Sequence, residues 1–252
     1  MSLKGKRIVL TGGTRGIGTF VAEGLAAQGA VVRLVCRQPP QLAASRFLKG
    51  DLSTAEGVTQ VAAAVAADAP DVLINMAGAQ FFGPFERESS LHVQTSFMVN
   101  LLAPVLLTQS VLPAMKRRGA GHIVNVGSIF GSINYPHFVT YSSAKGGLRA
   151  FSEALRREVY GSGVDVTYIA PRAVKSATTT AEVLRFARTA KMNLDDPKNV
   201  ACRIVRAIVN REKDVFIGFN ERFFVRANAL VPRLVDTVLR SQTAGVRKSF
   251  TS

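Results

Sequence analysis

The sequence predicts an α/β fold, a doubly wound parallel sheet covered by helices on both faces, and three observations predict it. Short apolar runs alternate with stretches of helical period along the first 218 residues. A glycine-rich turn stands between the first apolar run and the first helix. The residues of unusual chemistry fall just after the apolar runs, where parallel sheets of this kind bind ligands.

The elements follow in order. Arg7 to Thr11 is a short apolar strand ending in glycines, and Gly16 to Gln28 is a helix with Ile17, Phe20, Val21, Gly24 and Leu25 on one face. Gly29 ends it, and Ala30 to Cys36 is the second strand. Leu42 to Gly50 is a brief link with room for a third strand. Ser53 is placed to cap a helix reaching Ala67. Asp71 to Asn75 is the next strand. A long helix in one or two pieces runs from Leu91 to Arg117, followed by a strand from His122 to Val126, a helix from Tyr141 to Tyr160 and a strand from Asp165 to Ile169. Pro197 to Arg211 is a helix and Asp214 to Gly218 a last strand. Strand–helix alternation of this kind means right-handed crossovers and parallel neighbours.

The chain has 252 residues, 47% of them hydrophobic and 19% charged, which is a globular composition with a sizeable core. Cys36 and Cys202 lie far apart and give neither a zinc spacing nor a disulfide framework, so no metal site is expected. Ile8 to Leu10 is too short for a signal sequence, and the longest apolar run, Phe97 to Leu107, is broken by Asn100 and Pro104. The expectation is a cytoplasmic protein, soluble or at most peripheral to a membrane. The formal net charge is +15, from 32 basic and 17 acidic residues, which attracts anions. No recognition motif accompanies the charge, so nucleic acid is not expected as a partner. Residues 1–218 read as one catalytic, dinucleotide-binding domain and 219–252 as a C-terminal helical extension.

The turn Gly12-Gly13-Thr14-Arg15-Gly16-Ile17-Gly18 lets the backbone approach a pyrophosphate, which the start of the next helix then receives on free N–H groups. This makes the fold Rossmann-like. An acid at the end of the second strand would accept hydrogen bonds from a ribose 2′-hydroxyl and select NAD. This chain has Cys36-Arg37 there, and no acid occurs between Glu23 and Asp51. Arg37, with Arg15 beside it, suits a 2′-phosphate, so the expected cofactor is NADP(H).

Tyr141 and Lys145 are four apart and share a helix face, and Ser128 follows the His122–Val126 strand. Carbonyl reduction needs a proton donor beside the oxygen that gains charge. A phenol serves if a nearby cation favours its phenolate, and a hydroxyl can hold the oxygen in place.

With Thr11-Gly-x-x-x-Gly16-x-Gly18, Asp51-Leu52, Asn75-Met76-Ala77-Gly78, Asn100, Ser128 and Tyr141-x-x-x-Lys145 in order, the chain resembles the short-chain dehydrogenase/reductase superfamily from about residue 5 to 220, in particular NADPH-dependent 3-oxoacyl reductase-like members. The resemblance implies Tyr141 as general acid/base, with Lys145 lowering its pKa and binding the nicotinamide ribose. It implies Ser128 as the group orienting substrate, and Asn100 as holder of a water that links Lys145 to solvent. Asn75, Ala77 and Gly78 would line the cofactor's ribose side, Asp51 and Leu52 its adenine, and Ile169 to Val174, with Pro171, would pass beside the nicotinamide, whose amide the Ser176 hydroxyl could reach. Three departures stand out: Arg172 follows Pro171 where glycine is usual, Ser176 stands for a threonine, and the 14 residues between Cys36 and Asp51 leave little room for a helix. Arg172 either meets a substrate anion or faces solvent.

Glu182 to Met192 is an expected amphipathic helix with Val183, Leu184, Phe186, Ala187 and Ala190 on one side and Arg185, Arg188 and Lys191 on the other. It follows Thr178 to Thr180. An apolar stripe with basic edges suits a hydrophobic acyl chain on an anionic carrier, such as an acyl thioester of coenzyme A or of acyl carrier protein; it serves equally as a lid with solvated charges. The expected function is oxidoreduction between NADPH and a ketone or secondary alcohol, with a hydrophobic or 3-oxoacyl-type small-molecule substrate. A sugar, steroid or polyketide alcohol is the alternative, and a non-catalytic NADPH-binding protein the alternative of another class. The extension carries Phe219, Phe223, Phe224, Val225, Leu230, Leu234 and Val238 between Arg222, Arg226, Arg233 and Arg240, with Pro232 expected to kink or split it. Peripheral membrane contact, or a role as dimer arm or lid, are both open for it. A homo-oligomer, dimer or tetramer, is expected, and Ser241 to Ser252 is expected to fray.

Overall fold

The computed structural model describes residues 1–39, 46–175, 181–189 and 192–247. Seven strands form one sheet in the order β3-β2-β1-β4-β5-β6-β7. They are β1 (Arg7–Thr11), β2 (Val31–Cys36), β3 (Arg46–Lys49), β4 (Val72–Asn75), β5 (Gly121–Val126), β6 (Val164–Ala170) and β7 (Asp214–Phe216), and every pairing is parallel. The chain leaves β1 toward β2 and β3, then returns to place β4 on the other side of β1. The strand order therefore reverses between β1 and β4, which opens a crevice at their carboxyl ends.

The helices are α1 (Ile17–Ala27), α2 (Ala55–Asp68), α3 (Ser90–Phe97), α4 (Ala103–Arg118), α5 (Phe130–Ile133), α6 (Val139–Glu158), α7 (Ala181–Thr189), α8 (Pro197–Asn210), α9 (Phe219–Leu230) and α10 (Pro232–Arg247). One core layer packs Ile8, Leu10, Leu34, Ile74 and Ile169 under α1 and α8. The other packs Val9, Leu73, Ile123 and Val166 under α2 and α4. Alternate residues of the same strands serve the two layers, because side chains switch faces at each step. Both faces of the central strands are buried, so these strands read as mainly apolar runs, while the edge strand β3 is exposed.

Several elements differ from the sequence expectation. Thr54, not Ser53, caps α2: its side chain accepts from the Gly57 N–H at 3.1 Å. The Ser53 hydroxyl is taken by Asp51, whose Oδ1 accepts from both Ser53 N and Ser53 Oγ. The long central helix has a π-helical segment, Met98–Leu102, between α3 and α4. That run, Ser90–Arg118, has the length and hydropathy of a membrane span despite Asn100 and Pro104. Leu107, Val111 and Met115 of this run bury against the sheet, whereas Leu102 and Leu106 are exposed. The short α5 was not expected. Pro232 does split the extension, opening α10 at its first turn where its missing N–H costs nothing. The tail expected to fray from Ser241 continues as helix to Arg247. Residues 40–45, where a helix between β2 and β3 was expected to be short or absent, lie outside the described residues, as do Thr178 to Thr180, Ala190 and Lys191.

Candidate active site

The loop from β1 into α1 has the form of a phosphate cradle. Gly12 adopts φ +75°, and a Cβ there would come within 2.7 Å of the Ala77 backbone nitrogen. The turns after β1 and β4 are therefore pressed together at the strand-order reversal. Thr11 fastens them: its Oγ1 accepts from Met76 N at 3.0 Å and Ala77 N at 3.1 Å. A Cβ on Gly18 would run into the Gly12 carbonyl, so only glycine lets α1 begin this close to the turn. Gly16 occupies the cap of α1 with no side-chain hydrogen bond to the first N–H groups, and the first turn holds no acid. Free N–H groups and a positive helix end are what a pyrophosphate requires. Thr14 and Arg15 stand exposed on the loop, before Ile17 and Gly18.

Arg37 is exposed beyond the end of β2 and lies near enough to act electrostatically on Asp51. The Asp51 carboxyl is held below its ordinary pKa, first by the Ser53 backbone and side-chain hydrogen bonds and then by the Arg37 charge. Leu52 is buried in the α2 layer. The Asn75 side chain, expected beside the ribose, is instead buried: its Nδ2 donates to Asn125 Oδ1 at 2.9 Å and to Thr108 Oγ1 at 3.3 Å. Its Oδ1 has no hydrogen-bond partner. Gly78 leaves space beside Asn100, whose Oδ1 lies 3.3 Å from where a Cβ would sit.

Ser128, Tyr141 and Lys145 come together at the ends of β5 and α6. The Ser128 side chain and the Tyr141 hydroxyl are hydrogen-bonded. Lys145, 3% exposed, donates from Nζ to the Val126 carbonyl at 3.0 Å and stands 5.9 Å from the Tyr141 ring centre. Burial lowers the Lys145 pKa to about 8. Burial raises the Tyr141 pKa above its usual value, and only the Ser128 hydrogen bond opposes the rise. In the free protein desolvation sets the direction at Tyr141, and Lys145 Nζ is bonded to the Val126 carbonyl. The phenol is held protonated, the form that donates.

Asn100 sits at the centre of the π-helical segment, fully buried. Its Nδ2 donates to Ala79 O at 2.6 Å and Ser96 O at 2.8 Å, and its Oδ1 accepts from Ala79 N at 3.3 Å. Its side chain ties the loop following β4 to the helix, and the i→i+5 pattern displaces backbone carbonyls from their α-helical partners at this point. A contact absent from the sequence reading fixes the start of α6. Thr140 Oγ1 donates to Glu88 Oε2 at 2.6 Å, and the other Glu88 oxygen pairs with His92 Nδ1 at 2.9 Å.

A phenol, a hydroxyl and a buried lysine gather at the carboxyl ends of the strands, beside the glycine-rich cradle. A model of the short chain dehydrogenase family matches residues 6–185, which includes every one of these groups. The chain belongs to the short-chain dehydrogenase/reductase family. Among its relatives, a ketoacyl reductase, HetN of Nostoc sp., is 31% identical over 95% of this chain and 90% of that protein. A D-xylose 1-dehydrogenase of Caulobacter vibrioides is 34% identical over 69% of this chain and 74% of its own. The same fold recurs in a short chain dehydrogenase of Burkholderia cenocepacia in complex with NADP, with TM-score 0.79 at 22% identity over 95% and 99% of the two chains. A Leptospira borgpetersenii short chain dehydrogenase with bound NAD+ superimposes with TM-score 0.73 at 22% identity over 86% and 92%.

Against the short-chain dehydrogenase pattern, Arg172 is a departure with a defined partner. Its Nε and Nη2 pair with the two Asp195 oxygens at 2.7 and 2.6 Å, which leaves the side chain about a fifth exposed. Pro171 accepts from Ile129 N at 2.9 Å, joining this segment to the Ser128 loop. Val174 forms a parallel bridge with Asp195. Ser176 lies outside the described residues. On the substrate side, Phe130, Tyr135, Phe138 and Phe186 are buried together, with Phe82 and Tyr141 at their edge. Phe186 of α7 packs 5.0 Å from Phe82 and edge-on to Tyr135. Asn134 and His137 take left-handed backbone conformations to turn this wall. The sequence reading found Phe186 but not Phe82, Tyr135, His137 or Phe138. The signal for them was an aromatic cluster within 135–138, just ahead of the tyrosine helix. Among the described residues no three His, Cys, Asp or Glu side chains gather around a common point that a metal could occupy.

Proposed function

We propose that this short-chain dehydrogenase reduces a hydrophobic ketone, of the 3-oxoacyl thioester type, with NADPH. The observation that carries the substrate class is the aromatic wall at Tyr141. Phe130, Phe138 and Phe186 back this wall from within the core and only its edge, with Phe82, is partly open, so a sugar's hydroxyls would meet an apolar edge with few hydrogen-bond partners, and buried unpaired hydroxyls are costly. An acyl chain or other apolar group gains by the same burial. The cofactor preference is supported by Arg37 and Arg15, both exposed and neither in an ion pair among the described residues, where a 2′-phosphate would lie.

The chain's own groups divide the work as follows. The Gly12–Gly18 loop and the open end of α1 receive the pyrophosphate. A bound nicotinamide would supply the hydride that reduces the carbonyl carbon. Ser128 holds the carbonyl oxygen by hydrogen bond, and Tyr141 gives it the phenolic proton as negative charge builds. Lys145, when charged, stabilises the phenolate left behind. The basic surface of the chain, +15 overall, suits substrates carried on a phosphate-bearing arm.

The test compares dissociation constants for NADPH and NADH in wild type and Arg37→Ala, by cofactor fluorescence. The expected result is an NADPH preference that collapses in the variant. Initial rates with 3-oxoacyl thioesters and with aldoses then test the substrate: turnover of aldoses alone would overturn the hydrophobic reading.

A further inference from the structure

The α9–α10 hairpin has two faces of opposite character. The inner face belongs to the core: Val225 and Val235 are buried, Leu239 packs on the aromatic cluster, and Asn228 Nδ2 donates to Ser132 O at 2.9 Å. The outer face leaves large apolar side chains in water. Phe223 is 72% exposed, Leu230 81% and Leu234 62%, with Phe224 and Val231 also exposed. A cluster of this kind marks a partner surface. Arg226, Arg233 and Arg240 are exposed on the same two helices, and between Phe223 and Arg240 the one acid is Asp236.

Charge selects the partner. A two-fold contact with a second copy would press this patch against itself, setting arginines against arginines with only Asp236 to offset them. The whole chain, at +15, repels its own kind and is drawn to an anionic surface. We propose that the outer face of α9–α10 docks on an anionic lipid bilayer. Phe223, Leu230 and Leu234 enter the boundary between headgroups and acyl chains, and Arg226 and Arg233 meet lipid phosphates. The proposal rests on exposure and charge, and it stands apart from the substrate reading.

The test is co-sedimentation of the full chain with vesicles of phosphatidylcholine alone or mixed with phosphatidylglycerol, with light scattering to record the oligomeric state. Wild type is expected to bind the anionic vesicles only, and to be released by salt. Arg226→Glu/Arg233→Glu is expected to bind about tenfold less or weaker still. Phe223→Ser/Leu230→Ser/Leu234→Ser is expected to lose binding while retaining the wild-type circular dichroism. Should that triple variant not fold, the charge-reversal pair decides alone, since it leaves the apolar side chains in place. Absence of wild-type binding, or equal binding by wild type and charge-reversed protein, overturns the proposal. So does a triple variant that binds vesicles as wild type does but passes from dimer to monomer, because the patch then belongs to a second copy.

Discussion

Arg172 and Asp195, 23 residues apart in the chain, form a two-pronged ion pair that closes the neck of the segment carrying α7. The backbone does the same beside it: Asp195 N donates to Ala173 O at 3.0 Å and Lys175 N to Asp195 O at 3.1 Å. Both side chains are about four-fifths buried, which shields the pair from solvent more than an ordinary surface pair. The clamp sits between Pro171, next to the Ser128 loop, and Phe186, which leans on the aromatic wall.

Loosening that clamp should act on substrate binding before chemistry. Arg172→Ala is expected to raise KM for the ketone severalfold while leaving kcat nearly intact. A double-mutant cycle with Asp195→Ala in thermal or urea unfolding should show a coupling of about 1–2 kcal/mol. A coupling near zero would mean that the pair holds nothing. A fall in kcat at unchanged KM would instead place Arg172 in the reaction itself.

The protonation states at the site predict a pH profile. Lys145 loses its proton near pH 8, whereas Tyr141 keeps its own to higher pH because burial raises its pKa. Reduction needs both protons in place, so kcat/KM, which reports the free enzyme, should fall as pH rises through about 8. Tyr141→Phe should cut kcat by roughly 10²–10⁴-fold with NADPH binding unchanged. A profile that stays flat up to the tyrosine range would show that the lysine charge is not required.

Six of the seven strands were legible because burial leaves mainly apolar runs such as Val31–Cys36 around Arg33, whereas β3 is exposed along Arg46–Lys49 and read only as a link with room for a strand. The phosphate cradle and the Tyr141–Lys145 pair were legible because their spacing is local, one tight turn or one turn of helix, while Ser128, 13 residues before Tyr141, was joined to them by the family resemblance. What escaped was assembled from afar or was too short to have a period. The partner of Arg172 lies 23 residues on and carries no mark in the sequence. The aromatic wall draws on residues 82, 130–138 and 186, which only folding unites. The π-helical slip at Asn100 shifts the register by a single residue, within the tolerance of any helical pattern. Ser53 and Thr54 are equally good caps by type, and only the pull of Asp51 on Ser53 decides between them.

Asn125 is a buried relay that should be costly to remove. It is fully buried, accepts from Asn75 Nδ2 at 2.9 Å and donates to Ser152 Oγ at 2.9 Å, so it links β4 to α6 beneath the active site. Asn125→Leu deletes both bonds and leaves the Asn75 amide with only its longer bond to Thr108 Oγ1, at 3.3 Å. The expected loss is about 2–4 kcal/mol in urea unfolding, from an unpaired donor and an overfilled site. A loss below about 0.5 kcal/mol, the level of ordinary surface substitutions, would show the relay to be dispensable.

His122 should make the fold acid-sensitive in a defined window. It lies in β5, 1% exposed, with Nε2 at 2.8 Å from Thr167 Oγ1. The Thr167 hydroxyl gives its own hydrogen to Glu212 O, so it accepts from His122, and the ring carries its proton on Nε2. Nδ1 has no hydrogen-bond partner. A second proton there would be a buried cation with nothing to receive it, and burial accordingly drives the pKa down from 6.5 to about 4. Above pH 6.5 the ring is neutral whether the chain is folded or not, and the group leaves stability unchanged. Between 6.5 and about 4 the unfolded chain takes up a proton that the folded chain refuses, so stability falls as the pH falls. The shift corresponds to about 3 kcal/mol at the lower end. Below it both states are protonated and this contribution stops changing. Urea midpoints measured across the window should therefore drop with acid, and His122→Gln, which cannot be protonated, should flatten the slope. A variant with the wild-type slope would assign the acid sensitivity to other groups.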